Sequence, residues 1–261
     1  MMASSGLPVA LLIIYLASPI SIIYIAIKHG LKHGAIIGWF FLFTFCTLRI
    51  VSSAIELQDA QSSSAALVAS IGLSPLLAAA CGVLHESRAY LIPKSRRRFD
   101  TPYMIFFHLL VTTAIALVAA GASKLSNTSL SPYQMKRSQG VVKGGMIMLL
   151  LGWISLAMIT LVTGISAIQH TSTRTSTKLA DNSGGKKLLL AVAFSMPFLG
   201  IRVMERLVYF FTENPDLNPV TGSLGLRVGL EVVEELIVTL SLIFAGIVTR
   251  NIGKTTAVDQ L

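Results

Sequence analysis

Residues 188–211 read LLLAVAFSMPFLGIRVMERLVYFF. As a helix rising 1.5 Å per residue, this block extends about 36 Å, enough to cross the roughly 30 Å hydrocarbon core of a bilayer. Yet it holds Arg202, Glu205 and Arg206. Each such charge costs about 2.5–3.5 kcal/mol at bilayer depth even on the lenient insertion scale. The block therefore predicts a membrane-spanning helix and, inside it, a polar site that faces protein or water.

Six further apolar blocks of span length lie around it: Leu7–Ile27, Gly34–Glu56, Ser64–Leu84, Tyr103–Ser123, Lys143–Ile168 and Leu226–Val248. A soluble fold interleaves charge every few residues, whereas here 53% of the chain is hydrophobic, 13% is charged, and most charges cluster between the blocks. The expected fold is all-α, a polytopic membrane protein built as a seven-transmembrane-helix bundle. Residues 1–250 would form the single domain and 251–261 a short cytosolic tail. Met1–Gly6 carries no basic residue and the first block is long enough to span, so it reads as a retained helix, not a cleaved signal. Pro19, Pro75 and Pro197 lie inside blocks, where neighbouring helices re-satisfy the backbone groups a proline frees.

Lysine and arginine set the orientation. With the N-terminus outside, thirteen of the 21 basic residues fall on the inner side, four on the outer side and four inside spans. The positive-inside rule then places the C-terminus in the cytosol, in a multi-pass protein of the endoplasmic reticulum or plasma membrane. The net charge of +9 is on this reading a topology signal, so the expected partner is the lipid bilayer and no nucleic acid. Arg96-Arg97-Arg98 suits anionic headgroups. His170–Lys187, rich in Ser, Thr and Gly, reads as a flexible cytosolic linker. Cys46 and Cys81 fall in spans and offer no disulfide framework, and Asn127-Thr128-Ser129 is a glycosylation acceptor on the expected outer side.

Nine charges lie inside spans. Arg49 and Glu56 are in the second; Arg202, Glu205 and Arg206 in the sixth; Arg227, Glu231, Glu234 and Glu235 in the seventh. At about 100° per residue each group shares one helix face. Their depths agree as well, since the second and sixth spans run outward and the seventh inward, which puts all nine in the outer half of the bilayer. Two readings follow. Four arginines and five glutamates suit an ion-pair network that fastens three helices. One carboxylate is left over, and the crowding of Glu231, Glu234 and Glu235 on one face favours an acid that keeps its proton, a usable general acid. Those three are the catalytic candidates, and the other six are candidates for ligand binding or the network.

The five histidines, His29, His33, His85, His108 and His170, fall near the expected inner face. His29 and His33 have i, i+4 spacing, but their place at helix ends favours interfacial packing over a metal, and no metal or cofactor is expected. No Gly-rich phosphate loop, Gly-x-Ser-x-Gly elbow or Cys-x-x-Cys pair is present. The last span has no lysine for a retinal Schiff base, and it lacks the Asn-Pro-x-x-Tyr of G-protein-coupled receptors. A short internal echo relates Leu48-Arg49-Ile50 to Ile201-Arg202-Val203 and Gly72-Leu73 to Gly225-Leu226 at equal offset, as parallel repeats would.

Arg49, the run Arg202-x-x-Glu205-Arg206 and the glutamates of the last span together resemble an uncharacterised family of fungal seven-helix integral membrane proteins, over nearly the whole chain. The resemblance implies unknown activity and, in some members, genes placed beside secondary-metabolite enzymes. In size and helix count the chain is also similar to fungal membrane-bound terpene cyclases, which protonate an epoxide or alkene with buried carboxylates. It departs from their aromatic-acid motif, since neither Trp39 nor Trp153 has an acidic neighbour in the sequence. Three functions are thus expected as alternatives: an accessory membrane component that holds a small lipophilic molecule, an intramembrane cyclase or isomerase, and a sensor or carrier. Protein partners are not specified by the sequence.

Overall fold

The computed structural model describes residues 6–30, 35–59, 62, 65, 68, 71–93, 97–125, 131–171, 179–212, 217 and 223–252. Among these residues there are seven helices and no strand. They are α1 (Gly6–His29), α2 (Ala35–Gln58), α3 (Leu73–Leu91), α4 (Asp100–Leu125), α5 (Pro132–Thr171), α6 (Leu179–Thr212) and α7. α7 is continuous but composite: Leu224–Arg227 is α-helical, Val228–Val232 is a π turn, and Val233–Val248 is α-helical again.

Five of the seven, α1, α2, α4, α5 and α6, are long and apolar enough to cross a membrane, and the chain is accordingly a membrane protein. Their outward faces say the same. On α1 the residues Leu11, Tyr15, Ser18, Ile22, Ile25 and His29 are buried, a four-three spacing that makes a coiled-coil-like seam. Between them Ile13, Leu16, Ile20, Ile23 and Ile27 are exposed. A helix equally apolar on its exposed face suits hydrocarbon outside it as well as protein inside. α4 repeats the pattern with Asp100, Met104, Phe107, Val111, Ala114, Val118 and Gly121 buried.

α3 is different because fifteen of its nineteen residues are buried. It is the central helix, packed mainly against α2 and α6 and also touching α4, α5 and α7. Surrounded by protein, it is free of the need to be apolar all round, so Glu86, Ser87 and Arg88 continue the helix beyond Leu84, where a reading for apolar span ends it. Pro75 sits in its first turn, where a missing N–H breaks no helical bond. α1 and α6 run unbroken through Pro19 and Pro197.

Helix lengths also differ from the expected blocks. α5 begins eleven residues before Lys143, and α6 begins at Leu179, inside the stretch expected to be a linker. Hydropathy marks only the part of a helix that lies in lipid, whereas residues such as Gln134, Lys136 and Arg137 continue α5 because they are good helix formers. Residues 64, 66, 67, 69 and 70 of the expected third span, His33, Arg96, Arg174 and the Asn127 sequon lie outside the described residues.

The tightest crossing joins α2 to α3 through Gly38 and Gly82. A Cβ on Gly38 would stand 2.8 Å from the Val83 backbone nitrogen, and one on Gly82 would collide with the Gly38 backbone. Small residues that let backbones touch are the usual device for helix association without a hydrophobic driving force. Gly38→Val and Gly82→Val should therefore each abolish the monodisperse peak of the detergent-extracted protein on size-exclusion chromatography. Gly144→Ala, whose Cβ meets nothing within 4 Å, should leave the peak unchanged.

Candidate functional site

The nine charges that the sequence places inside apolar blocks sort into three sets. Arg49 from α2, Arg202, Glu205 and Arg206 from α6, and Glu231 and Glu235 from α7 form a closed hub. Glu231 is its centre: its Oε1 accepts from Arg49 at 3.0 Å and lies 2.9 Å from Arg202 Nη2 in an ion pair, and its Oε2 accepts from Arg206 at 3.1 Å. Glu235 accepts from Arg202 Nε at 2.9 Å and pairs with Arg49 through its other oxygen. Glu205, one turn from Arg202 on α6, accepts from it at 2.5 Å and lies 3.5 Å from Arg206 Nε. Three guanidiniums and three carboxylates thus cancel inside the bundle, each nearly or wholly shielded from solvent.

Arg227 and Glu56 form a separate pair at 2.7 Å, less buried than the hub and joining the start of α7 to the end of α2. Glu234 is the ninth charge and stands apart. It is 5% exposed, and among the described residues no ion pair reaches it and its Oε2 has no hydrogen-bond partner. Of the three glutamates crowded on the last helix, two are locked by arginines and one is not.

The helices explain why these residues meet. Arg49 lies on the buried face of α2 with Cys46, Ser52 and Ser53, and Ser52 donates to the Ala65 carbonyl at 3.0 Å. Arg202 and Arg206 are one turn apart on α6 and both point inward. On α7 the π turn carries Glu231, and a turn of this kind widens the helix locally and is often found at functional sites. A uniform 100° step therefore does not describe this part of the helix. The two arginines of the short internal echo, Arg49 and Arg202, approach the same two carboxylates from two helices. α1 contributes Tyr15, which sequence reasoning missed: it is fully buried, its ring edge-on to Phe45 at 5.7 Å, and the Arg49 guanidinium stands 5.9 Å from the same Phe45 ring. Its hydroxyl has no partner among the described residues.

A second polar cluster lies near the other ends of α2 and α7. His29 Nδ1 is 2.5 Å from Glu86 Oε1, Trp39 Nε1 donates to Glu86 Oε2 at 3.2 Å, and His29 Nε2 is 3.0 Å from the Gly246 carbonyl. Both ring nitrogens face acceptors, which suits a doubly protonated imidazole against a carboxylate. His29 is thus a buried tie between α1, α3 and α7, not an interfacial packing residue. Trp39 does have an acidic neighbour, in space and not in sequence, and no spacing pattern signals a contact across 47 residues. A third group, Arg88, donates to both oxygens of Asp100 and to Thr163 at 2.5 Å, linking α3, α4 and α5.

Cavities among the described residues include one of about 590 Å³ between α5 and α6, one of about 360 Å³ beside Arg88 and Asp100, and one of about 440 Å³ between α1 and α2. None of the three is lined by any of the nine charges. Among the described residues no three His, Cys, Asp or Glu side chains converge as a metal set would. The hub arginines already face carboxylates, so an anionic cofactor would have to displace them.

A family model described as "Domain of unknown function (DUF7702)" matches residues 1–252, and the chain belongs to that family. No curated protein matches the chain, and neither does any solved structure.

Removing one member of a buried ionic group leaves its partners uncompensated, at about 3–5 kcal/mol. Arg202→Met strips Glu205, Glu231 and Glu235 of a partner and should lower the melting temperature in detergent sharply or prevent folding. Arg227→Met, at the more exposed pair, should lower it by a few degrees at most.

Proposed function

We propose that this DUF7702 member is a non-catalytic, multi-pass membrane component whose Arg/Glu hub fastens α2, α6 and α7, and which serves by holding a small lipophilic molecule. The observation that carries the reading is the closure of the hub on itself. All five of the other groups meet their opposite charges within the hub, and Glu231 is held by three arginines at once. A carboxylate so held is a poor proton donor, and each hub guanidinium already donates to a hub carboxylate. What remains is a rigid, neutral knot in a low-dielectric bundle.

The topology proposed with it has seven spans, the N-terminus outside and the C-terminus in the cytosol. α3 and α7 would span within the shelter of the other five helices, and the hub would lie in the outer half of the bilayer. The distribution of lysine and arginine supports this orientation. A C-terminal epitope should then be cleaved when protease is added to sealed, right-side-out cells only after permeabilisation, and cleavage in intact cells would reverse the assignment.

One observation favours a second reading, an intramembrane cyclase or isomerase. Glu234 is buried, without an ion pair among the described residues, and one residue from the hub, where a protonated acid would have the apolar surroundings that acid catalysis on an alkene or epoxide needs.

Metabolite profiles of a host expressing the intact chain, Glu234→Gln or Glu231→Gln, with membrane abundance measured for each, separate the two. The non-catalytic reading expects Glu234→Gln to match the intact chain in both abundance and metabolites, and Glu231→Gln to fail through lost abundance. A Glu234→Gln protein at full abundance that accumulates a precursor would give the site to chemistry.

A further inference from the structure

The cavity of about 360 Å³ between α3, α4 and α5 is polar at one end and apolar at the other. α3 contributes Cys81 on the apolar side and Arg88 at the polar end, α4 contributes Met104 and Asp100 in the same order, and α5 contributes Met158. From Cys81 to Arg88 a helix rises about 10 Å, so the space has the length of a small amphiphile as well as its gradient of polarity. At roughly 30 Å³ for each water-sized group, a molecule of about a dozen non-hydrogen atoms fills it. The two methionines and the cysteine are soft walls that adapt to an apolar body of irregular shape. Phe99, largely exposed, lines the same cavity at its outer edge.

The polar end selects the head group. Arg88 Nε and Nη2 donate to the two oxygens of Asp100 at 3.1 and 2.8 Å, and Nη1 donates to Thr163 at 2.5 Å. The pair is already neutral, so an ionised head, carboxylate or ammonium, would lose its water only to meet a like charge beside the opposite one. A bare hydrocarbon would leave valences idle, because the guanidinium has N–H groups beyond those three and each carboxylate oxygen has a second lone pair. Nη2 and Oδ1 stand side by side, and a hydroxyl is the smallest group that accepts from one and donates to the other. We infer that this cavity holds an uncharged lipophilic alcohol, its hydroxyl at the Arg88–Asp100 pair and its apolar body toward Cys81 and Met158. His85 lines the same wall with a partner of its own and takes no part. The inference names the class and the seat of the molecule in the function proposed above and rests on that reading, but it uses no residue of the hub.

The test is photolabelling of the full chain in phosphatidylcholine nanodiscs by a 1-decanol probe that carries a diazirine at the end away from its hydroxyl, with peptide mapping of the adduct. Unlabelled 1-decanol, decane, decanoate and decylamine then compete at equal mole fraction in the bilayer. The label should fall on the peptides of Cys81, Met104 or Met158. One hydrogen bond contributes about 1 kcal/mol, or about fivefold where roughly 1.4 kcal/mol is tenfold. In the wild type 1-decanol should therefore displace the label about fivefold better than decane, and better than either charged analogue. Arg88→Met/Asp100→Leu removes both charges together and should keep the label while bringing 1-decanol and decane to parity. Equal competition by 1-decanol and decane in the wild type, stronger competition by decanoate or decylamine, or an alcohol preference that survives in the folded double variant overturns the inference. The wild-type arms decide the matter even if the double variant fails to fold. Saturable labelling confined to other parts of the bundle would overturn this seat and leave a lipophile-holding function standing, whereas no saturable labelling anywhere would overturn both.

Discussion

Charge taken out of water must be met by opposite charge, and in this bundle that requirement decides which helices stand beside which. The cost of moving a carboxylate or guanidinium into an apolar interior is several kcal/mol per group even after relaxation. It is offset only when the partners arrive from the right directions. Arg49 on α2 reaches Glu231 and Glu235 on α7, and Arg202 and Arg206 on α6 reach the same helix from another side. Apolar seams between membrane helices tolerate sliding and rotation because lipid is as apolar as leucine. A knot of six charges does not, since a one-residue slip of α7 would face Glu231 away from three arginines. Specificity of arrangement is therefore its natural contribution, more than net stability.

Other features of the fold serve to bring these residues to that point. The backbone contact of Gly38 with Gly82 holds α2 on α3, and the heptad-like seams of α1 and α4 close the outside of the bundle. At the other end of α2 and α7, some ten residues away along α2, His29 and Trp39 converge on Glu86. α2 and α7 are thus pinned twice, by the hub and by this smaller tie, with about 15 Å of apolar packing between at 1.5 Å per residue. Two separated polar pins fix both the register and the rotation of a helix pair, which one alone would leave free.

Much of this was legible in the sequence, for an identifiable reason. Charges inside apolar blocks are anomalous, so Arg49, Glu56, Arg202, Glu205, Arg206, Arg227, Glu231, Glu234 and Glu235 mark themselves, and counting their signs already leaves one carboxylate over. Which carboxylate is left over depends on the π turn at Val228–Val232, and no residue pattern announces that turn. Tyr15 was missed, and the meeting of Trp39 with Glu86 was not foreseen, because each looks ordinary in its own segment and becomes polar-site material only across helices. The full lengths of α5 and α6 were missed because hydropathy reports the lipid boundary and not the end of the helix. The central position of α3 follows from burial, and burial is a property of the assembled bundle.

The claim on which the account rests is that the hub acts as one unit, and a double-mutant cycle on Arg49 and Glu235 measures it directly. Melting temperatures of Arg49→Leu, Glu235→Leu and the double variant, taken in one detergent, give the coupling between two side chains on different helices. The account predicts that each single change is severely destabilising and that the double variant is more stable than either, because it removes a positive and a negative charge together. Coupling energies for residues in contact run to about 0.5–3 kcal/mol. Effects that simply add would contradict the account, and would mean that the arginines and glutamates are neighbours without being a clamp.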